Sequence, residues 1–207
     1  MITDVTGVLL AGGKSRRMGE DKRFVLVGGR TLFERSLDVL RSLFGFVLVV
    51  IAQDSEPLRA EVPVLRDLVP DGGSMGGLYT GLREATTEHI FVVACDMPFL
   101  NPSVIRSMVA LKVDADIVMV QLANGMQPTH ALYSRRCLPV VEEMVRTHRL
   151  KIQELASHPA LHVRLIRGDE LDRIDPGGQS FLNVNTPADL EAARRACTHV
   201  TDPSSSR

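Results

Sequence analysis

The sequence predicts an α/β fold, a three-layer sandwich whose central sheet is mostly parallel. Short strand-like and helix-like segments alternate from the beginning of the chain, which is the pattern of crossover units that feed a parallel sheet. The strand-like segments are apolar without interruption, which indicates burial on both faces. The predicted sheet is Rossmann-like.

The predicted elements follow in chain order. Buried strands are predicted at residues 8–11, 47–51, 90–94 and 117–120, each rich in Val, Ile and Leu. Between the first two strands, apolar residues recur at steps of three and four, as on one face of a helix: Leu32, Phe33, Leu37, Leu40, Leu43 and Phe44. Asn101 before Pro102 combines a side-chain cap with a proline suited to the first helical turn. The same pairing recurs at Thr186 and Pro187, so helices are predicted to begin at both places.

The alternation is less regular after residue 121. Asn124-Gly125 is a turn signal, residues 131–133 are compatible with a strand, and residues 137–148 have the pattern of an amphipathic helix. No linker composition interrupts the chain, so residues 1–200 are predicted to form one domain. Residues 201–207 are rich in turn formers and are expected to be frayed.

Composition excludes several classes of function. The 24 Lys and Arg residues are balanced by 25 Asp and Glu residues, and no basic run exceeds two residues, so neither nucleic acid nor a membrane is an expected partner. Aromatic residues are only 4% of the chain and Trp is absent, which leaves few platforms for base stacking. Three widely spaced cysteines, Cys95, Cys137 and Cys197, without a signal-peptide pattern point to a reducing compartment, so a cytoplasmic protein is expected.

The most informative segment, residues 9–22, directly follows the first strand. Gly12 and Gly13 lack a Cβ, so the backbone can bend tightly and present consecutive N–H groups to a phosphate. Arg16, Arg17 and Lys22 bring three positive charges close to these glycines. The segment suits a polyanion such as a triphosphate, whereas the glycines by themselves are equally compatible with a simple turn.

Two common phosphate-binding motifs do not fit this segment. A P-loop ending at residues 13–15 requires its first glycine at position 8, which is Val8. The dinucleotide fingerprint Gly-x-Gly-x-x-Gly cannot be aligned with Gly12, Gly13 and Gly19. NAD and FAD are therefore not predicted.

The segment instead resembles the signature of the sugar-phosphate-type nucleotidyltransferases, and specifically that of the molybdenum cofactor guanylyltransferase family, the MobA type. The residues that carry the resemblance are Leu10, Ala11, Gly12, Gly13, Ser15, Arg17, Met18, Gly19 and Lys22. Further matching motifs follow in the same order: Asp67 and residues 72–78, 95–100, 127–132 and 183–187. The resemblance covers nearly the whole chain.

This resemblance implies the nucleotide-diphospho-sugar transferase-like fold and an enzyme that transfers GMP from GTP to the terminal phosphate of molybdenum-molybdopterin. Mg²⁺ is the implied cofactor and pyrophosphate the second product. A nucleotide-binding half at about residues 1–120 and an acceptor-binding half at about residues 121–200 are expected. Transient contact with other cofactor-biosynthesis proteins or molybdoenzyme apoproteins is also implied.

The resemblance further implies roles for individual residues. Leu10, Ala11 and Gly12 contact the nucleotide, with Gly13 in the same cradle, whereas Arg17 and Lys22 bind its phosphates. Cations aimed at the phosphates stabilise the charge of the transition state, and no nucleophilic side chain is needed because the acceptor phosphate supplies the attacking oxygen.

Asp96 directly follows the predicted strand at residues 90–94, so it lies at the carboxyl end of a buried strand, where open α/β sheets bind ligands. Mg²⁺ is commonly held by one or two carboxylates together with phosphate oxygens and water. From the residues alone, Asp96 is either a metal ligand or part of a turn before Pro98. The resemblance favours the metal role.

Asn183 and Asn185 flank a strand-like valine, and their spacing of two places both amides on one face. The resemblance suggests that they contact the pterin or the metal site, whereas Asn185 could equally shape the entry to the helix capped by Thr186.

The glycine cluster at residues 72–77 is interpreted as a loop that allows the backbone, at Gly76 and Gly77 in particular, to approach a guanine edge closely, or as a surface loop. Ser74 and Met75 depart from the family pattern here, as does Ile51, with Gln53 nearby, where relatives often carry asparagine. Asp67 can accept hydrogen bonds from guanine N1–H and N2–H₂, or it can be a surface turn residue.

The histidines and cysteines do not form a zinc motif. His130 is interpreted as a hydrogen-bonded structural residue, and Cys95 as a packing residue rather than a nucleophile. Two alternatives to GMP transfer remain: transfer of a cytidylyl or other nucleotidyl group to molybdopterin or another phosphorylated acceptor, and a nucleotide- or cofactor-binding module without turnover.

Overall fold

This computed structural model describes residues 1–12 and 21–200. Its strands are β1 (Ile2–Leu10), β2 (Leu26–Val27), β3 (Arg30–Thr31), β4 (Phe44–Ile51), β5 (Val64–Arg66), β6 (His89–Ala94), β7 (Ile117–Leu122), β8 (Gly125–Ser134) and β9 (Val163–Ile166). Its α-helices are α1 (Leu32–Leu43), α2 (Gly73–Glu84), α3 (Pro102–Ala110), α4 (Leu138–Arg146), α5 (Asp169–Ile174) and α6 (Pro187–Val200). Short 3₁₀ helices include Lys22–Phe24 and Gln179–Phe181.

Within these residues, seven strands form one sheet in the order β5-β4-β1-β6-β8-β7-β9. β1 pairs in parallel with β4 and β6, and further parallel pairs join β4 to β5 and β7 to β9. β8 is antiparallel to both of its neighbours, because the β7–β8 connection is a tight hairpin at the Asn124-Gly125 turn. The prediction of a mostly parallel α/β sheet is confirmed.

Helices cover both faces of the sheet, as the predicted three-layer arrangement requires. On one face, Leu40 of α1 and Ile105 of α3 pack on apolar strand side chains such as Leu9. On the other face, Leu78 of α2 and Val141 of α4 belong to a second buried cluster. α6 lies with β2 and β3 in a third, smaller cluster. None of the helices in residues 1–12 and 21–200 has both the length and the apolar character to cross a bilayer.

Several predicted boundaries change in the structure. The first strand begins at Ile2 rather than residue 8, and the strand expected at residues 131–133 extends over Gly125–Ser134. The helix predicted at residues 137–148 is shorter, because α4 ends at Arg146. Both predicted helix starts are confirmed: Asn101 accepts a hydrogen bond from Ser103 N, and Thr186 accepts one from Asp189 N.

The interpretation of residues 72–77 as a loop is wrong, because α2 begins at Gly73 and includes the later glycines. The valine between Asn183 and Asn185 is also not in a strand. Val184 is buried, and its N–H donates to the Asp96 carbonyl at 2.8 Å. The asparagine segment is therefore fixed to the end of β6 by a single backbone bond rather than by a ladder.

The carboxyl ends of the central strands are level with one another. Leu10 of β1 is paired with Val50 of β4 and with Ala94 of β6. Asp67, just after β5, donates its N–H to the Ile51 carbonyl at 2.8 Å. The residues that follow these strands therefore meet at one edge of the sheet, where ligands bind in open α/β folds.

Candidate active site

A cavity of about 550 Å³ opens at this edge of the sheet, a size typical of small-molecule sites. Its wall is built from separate parts of the chain: residues 10–12, 21–23, 50–54, 67, 69–74, 77, 94–96, 129, 183 and 185. Strand ends thus supply part of the cavity wall, and the segment before α6 supplies another part.

The end of β1 lies against the loop that follows β4. Ala11 donates its N–H to the Val50 carbonyl at 2.8 Å. A Cβ on Gly12 would lie 2.7 Å from the backbone nitrogen of Ala52, closer than real side chains approach. Glycine is therefore required at position 12 because two backbone segments touch there.

Lys22 joins the region after the glycine segment to the asparagine segment. Its Nζ donates to Asn185 Oδ1 at 2.7 Å, and both residues line the cavity. Asn185 and Thr186 in turn donate their N–H groups to Asp189 Oδ2, at 3.0 and 2.8 Å, which anchors the segment on the first turn of α6. The Lys22 ammonium is thus held at the cavity wall by an acceptor whose backbone is anchored on α6.

Asp96 lies at the end of β6. Burial raises the pKa of its carboxyl, and the nearby Lys22 opposes that shift. Oδ1 of Asp96 is buried and has no hydrogen-bond partner within the described residues, and the same is true of Oδ1 of Asn183. An unpaired buried acceptor is energetically unfavourable.

The two unpaired oxygens have the chemistry of a hard-cation site. Mg²⁺ prefers carboxylate and amide oxygens together with phosphate oxygens and water. Across residues 1–12 and 21–200, no cluster of three His, Cys, Asp or Glu residues could hold a metal by itself. A metal at Asp96 and Asn183 would therefore take its remaining ligands from substrate and water.

Asp67 also lines the cavity and is only 7% exposed. Burial raises the pKa of its carboxyl, whereas the bonds that its Oδ1 accepts from Val69 N (2.8 Å) and Thr80 Oγ1 (3.2 Å) oppose that shift. A Cβ at Gly76 would lie 2.5 Å from Asp67 Oδ2. The glycine in α2 therefore allows the helix backbone to lie directly on this carboxylate.

The loop after β4 is held by a residue outside the cavity. Arg66 Nη1 donates to the carbonyls of Gln53 (2.5 Å) and Ser55 (3.1 Å), with Ala52 further away at 3.4 Å. Ala52 and Gln53 line the cavity. One guanidinium thus fixes the loop where the sequence departs from the family pattern at Ile51.

Most residues expected to form the site do line one cavity: Leu10, Ala11, Gly12, Lys22, Asp67, Gly77, Asp96, Asn183 and Asn185. Gly76 lies behind Asp67 rather than in the cavity wall. Gly13 and Arg17 lie outside the described residues. Residues more than 160 positions apart are therefore placed together by the fold.

Sequence reasoning missed Asp21 and Arg23, which also line the cavity. Asp21 caps the 3₁₀ helix through the N–H of Arg23 and forms a two-oxygen ion pair with the Arg23 side chain. An acidic residue two positions before an arginine was the available signal, but it is common at helix starts and indicates no ligand by itself.

His130 and Cys95 are both buried. The His130 ring contacts Phe91 and Phe181, with centroid distances of 5.5 and 4.6 Å, and burial lowers its pKa to about 4. The predicted hydrogen bond is not confirmed: neither ring nitrogen meets hydrogen-bond geometry in the described part of the chain, although the Ser180 backbone lies close enough to oppose the lowered pKa. Burial raises the pKa of the Cys95 thiol to about 12, which favours the protonated form.

Comparison with known proteins places this architecture among nucleotide-handling enzymes. Residues 7–161 match the family model of the MobA-like NTP transferase domain. The match includes the end of β1, Lys22, Asp67 and Asp96, and it ends before the asparagine segment.

Named relatives match most of the chain. A molybdenum cofactor guanylyltransferase of Desulfosudis oleivorans is 37% identical over 93% of this chain and 95% of its own length. A probable molybdenum cofactor guanylyltransferase of Pelotomaculum thermopropionicum is 35% identical over 91% of both chains. Among solved structures, molybdopterin-guanine dinucleotide biosynthesis protein A of Archaeoglobus fulgidus superposes with a TM-score of 0.81 at 26% identity, over 94% of this chain and 99% of that one.

Proposed function

The chain belongs to the MobA-like NTP transferase family, and we propose that it transfers GMP from GTP to the terminal phosphate of molybdenum-molybdopterin, forming molybdopterin guanine dinucleotide cofactor and releasing pyrophosphate. Two relatives at 35% and 37% identity carry this activity in their names. The observation that carries the proposal is the convergence of Lys22, Asp96 and Asn183 on one cavity.

In this proposal, positively charged groups of the chain bind the phosphates and a carboxylate binds the guanine base. Lys22, oriented by Asn185, neutralises phosphate oxygens of GTP, and the backbone at residues 10–12 lies against the nucleotide. Arg17 and Gly13 are proposed to act beside them. The carboxylate of Asp67, which also lines the cavity, accepts hydrogen bonds from the guanine N1–H and N2–H₂ groups, with Gly77 near the base.

We assign Mg²⁺ to Asp96 and Asn183, whose buried unpaired oxygens fit a hard cation. When bound, Mg²⁺ supplies positive charge to the phosphate oxygens and to the departing pyrophosphate. The new bond forms between an oxygen of the acceptor phosphate and the α-phosphorus of GTP, and the bond between the α-phosphorus and its bridging oxygen breaks. The acceptor phosphate is already ionised, so no side chain has to remove a proton from it.

In this proposal, residues 1–120 hold the nucleotide and residues 121–200 contribute the acceptor side, with Asn183 and Asn185 at the boundary between substrates. The part of the chain assigned to the acceptor would thus include the antiparallel strand β8, which pairs with β6.

The experiment uses purified protein, Mg²⁺, molybdenum-molybdopterin and each of the four ribonucleoside triphosphates in separate reactions, with mass analysis of the pterin product. We expect a GMP adduct and pyrophosphate with GTP, and neither with GTP when Mg²⁺ is removed by EDTA. A product formed only with CTP would replace the guanylyl assignment by a cytidylyl one. Tight nucleotide binding without pyrophosphate release from any triphosphate would indicate a binding module.

A further inference from the structure

Arg23 is a buried cation in the wall of the candidate active site. Its side chain is only 7% exposed, and it lines the cavity beside Lys22. One edge of its guanidinium is fully engaged by Asp21: Nε donates to Oδ1 at 3.0 Å and to Oδ2 at 2.9 Å, and Nη2 donates to Oδ2 at 2.5 Å. This two-oxygen geometry fixes the plane of the guanidinium.

The other edge of the guanidinium is unsatisfied. Nη1 of Arg23 is buried and has no hydrogen-bond partner within the described residues. Leaving a buried charged donor unpaired is costly, and a guanidinium cannot accept a hydrogen bond or lose its proton in a protein. The missing partner must therefore be an acceptor.

Arg23 lies near the reacting end of the cavity. Burial raises the pKa of the Cys95 thiol to about 12, and the charges of Arg23 and Lys22 oppose that shift, so both cations lie near the end of β6. Asp96 is the next residue. Because the substrates of the proposed reaction bring phosphate groups to this place, phosphate oxygens are the acceptors whose charge and geometry match a guanidinium edge.

We propose that Arg23 is a substrate-binding residue that donates from Nη1 to a phosphate oxygen of one of the two substrates, and that Asp21 is the positioning residue that holds its guanidinium. The inference rests on the proposed function. The phosphate belongs either to the triphosphate of GTP or to the terminal phosphate of the acceptor, and the experiment separates the two sources.

The experiment compares the wild-type protein with Arg23→Met, which keeps a long side chain but removes the charge and the donors. KM is measured for GTP and for molybdenum-molybdopterin, and the affinity for GTP is measured by calorimetry. The matched control is Arg41→Met. It removes an exposed arginine of α1 that forms an ion pair with Glu61. Lys22→Met is the positive control for the nucleotide.

Loss of a charged hydrogen bond predicts that Arg23→Met raises the KM of one substrate by about 10- to 100-fold. A rise for GTP, with weaker GTP binding, identifies the nucleotide as the source. A rise for the acceptor alone identifies the acceptor phosphate. Asp21→Asn is expected to raise the KM of the same substrate by a smaller factor, because the guanidinium remains but its anchor weakens.

The inference is overturned if both KM values stay within about twofold of wild type, or if only kcat falls, while Arg23→Met keeps its thermal midpoint. If Arg23→Met does not fold, Arg23→Gln is used, since it removes the positive charge and the fork of donors but keeps a polar side chain, and the same KM criteria apply. If the wild-type protein forms no product, the proposed function fails instead, and titration of the wild-type and Arg23→Met proteins with GTP and inorganic phosphate still decides the role of Arg23.

Discussion

The buried charge of Asp96 lowers the stability of the folded protein, although the proposed activity requires that charge. Its carboxylate is partly buried at the end of β6, and burial disfavours its charged form, as the raised pKa shows. The charge is nevertheless the feature that a divalent cation requires. Stability and activity should therefore respond in opposite directions when the charge is removed.

Asp96→Asn is expected to lower turnover by at least roughly 100-fold, because an amide oxygen is a poorer ligand for Mg²⁺. With Mg²⁺ and nucleotide absent, the same variant should melt about 2–4 °C higher at pH 7, the shift that about 1 kcal/mol produces in a domain of this size. Turnover assays and thermal denaturation in EDTA measure the two effects.

The stability difference between the wild-type and Asp96→Asn proteins should depend on pH. A folded-state pKa above the unfolded value means that the protonated carboxyl contributes stability at low pH, and that this contribution is lost as pH rises through the folded pKa. The higher stability of Asp96→Asn should therefore disappear below about pH 4.

Near-normal, magnesium-dependent turnover of Asp96→Asn would refute the metal assignment.

Among single residues, those at strand ends could be predicted from the sequence because position along a strand dictates position in the sheet. The positions of Asp96 and Gly12 could be predicted because each follows a buried strand in the sequence. The pairing of Lys22 with Asn185 could not be predicted, because 163 residues separate the partners and the contact depends on where α6 packs.

At the scale of elements, α2 and the end of β5 form one unit. The helix backbone at Gly76 touches the Asp67 carboxylate, and Thr80, one turn further along the helix, donates to the same side chain. The sequence suggested a loop here because glycines are unfavourable inside helices. Close packing on Asp67 at Gly76 and on Leu10 at Gly77 explains their presence.

Gly76→Ala is expected to raise the KM for GTP by about tenfold or more, because its Cβ would lie 2.5 Å from Asp67 Oδ2 and 2.7 Å from Oδ1 and would force the carboxylate to move. Steady-state kinetics with GTP as the varied substrate measure the change.

Gly81→Ala is the matched control in the same helix, since its Cβ would contact Val8 in the core at 3.0 Å. That variant is expected to lose stability but to keep the KM for GTP. Equal KM values for the wild-type and Gly76→Ala proteins would show that Asp67 does not contact the nucleotide.

β8 and the 3₁₀ helix Gln179–Phe181 are joined by the ring of His130. Its pKa of about 4 lies below the value of about 6.5 for an exposed histidine. The unfolded chain therefore binds a proton that the folded protein excludes, and stability falls as pH drops from about 6.5 to about 4.

His130→Phe keeps an aromatic ring against Phe91 and Phe181 but cannot titrate. Wild type should lose up to roughly 3 kcal/mol more unfolding free energy than this variant between pH 7 and pH 4. Denaturant unfolding at several pH values tests the difference, with exposed His162→Gln as the control. Parallel pH profiles for the wild-type and His130→Phe proteins would contradict the burial argument.

At the scale of the whole molecule, the alternation of apolar strands and helices was sufficient to predict the fold class. The place of β8 was not predictable, because its antiparallel pairing with β6 joins distant segments. The sheet order nevertheless places β1 between β4 and β6, which levels the ends of all three strands. The cavity follows from this topology rather than from any single motif.

The central claim is that four parts of one cavity wall, the end of β1, Lys22, Asp96 and Asn183, hold the same triphosphate. A crystal structure with Mg²⁺ and a GTP analogue carrying a methylene bridge between its α- and β-phosphates tests this claim most directly. The account predicts phosphate oxygens within hydrogen-bond distance of Lys22 and a metal ion that contacts both Asp96 and the analogue. A triphosphate bound in another cavity, or one that contacts Lys22 while no metal ion joins it to Asp96, would contradict it.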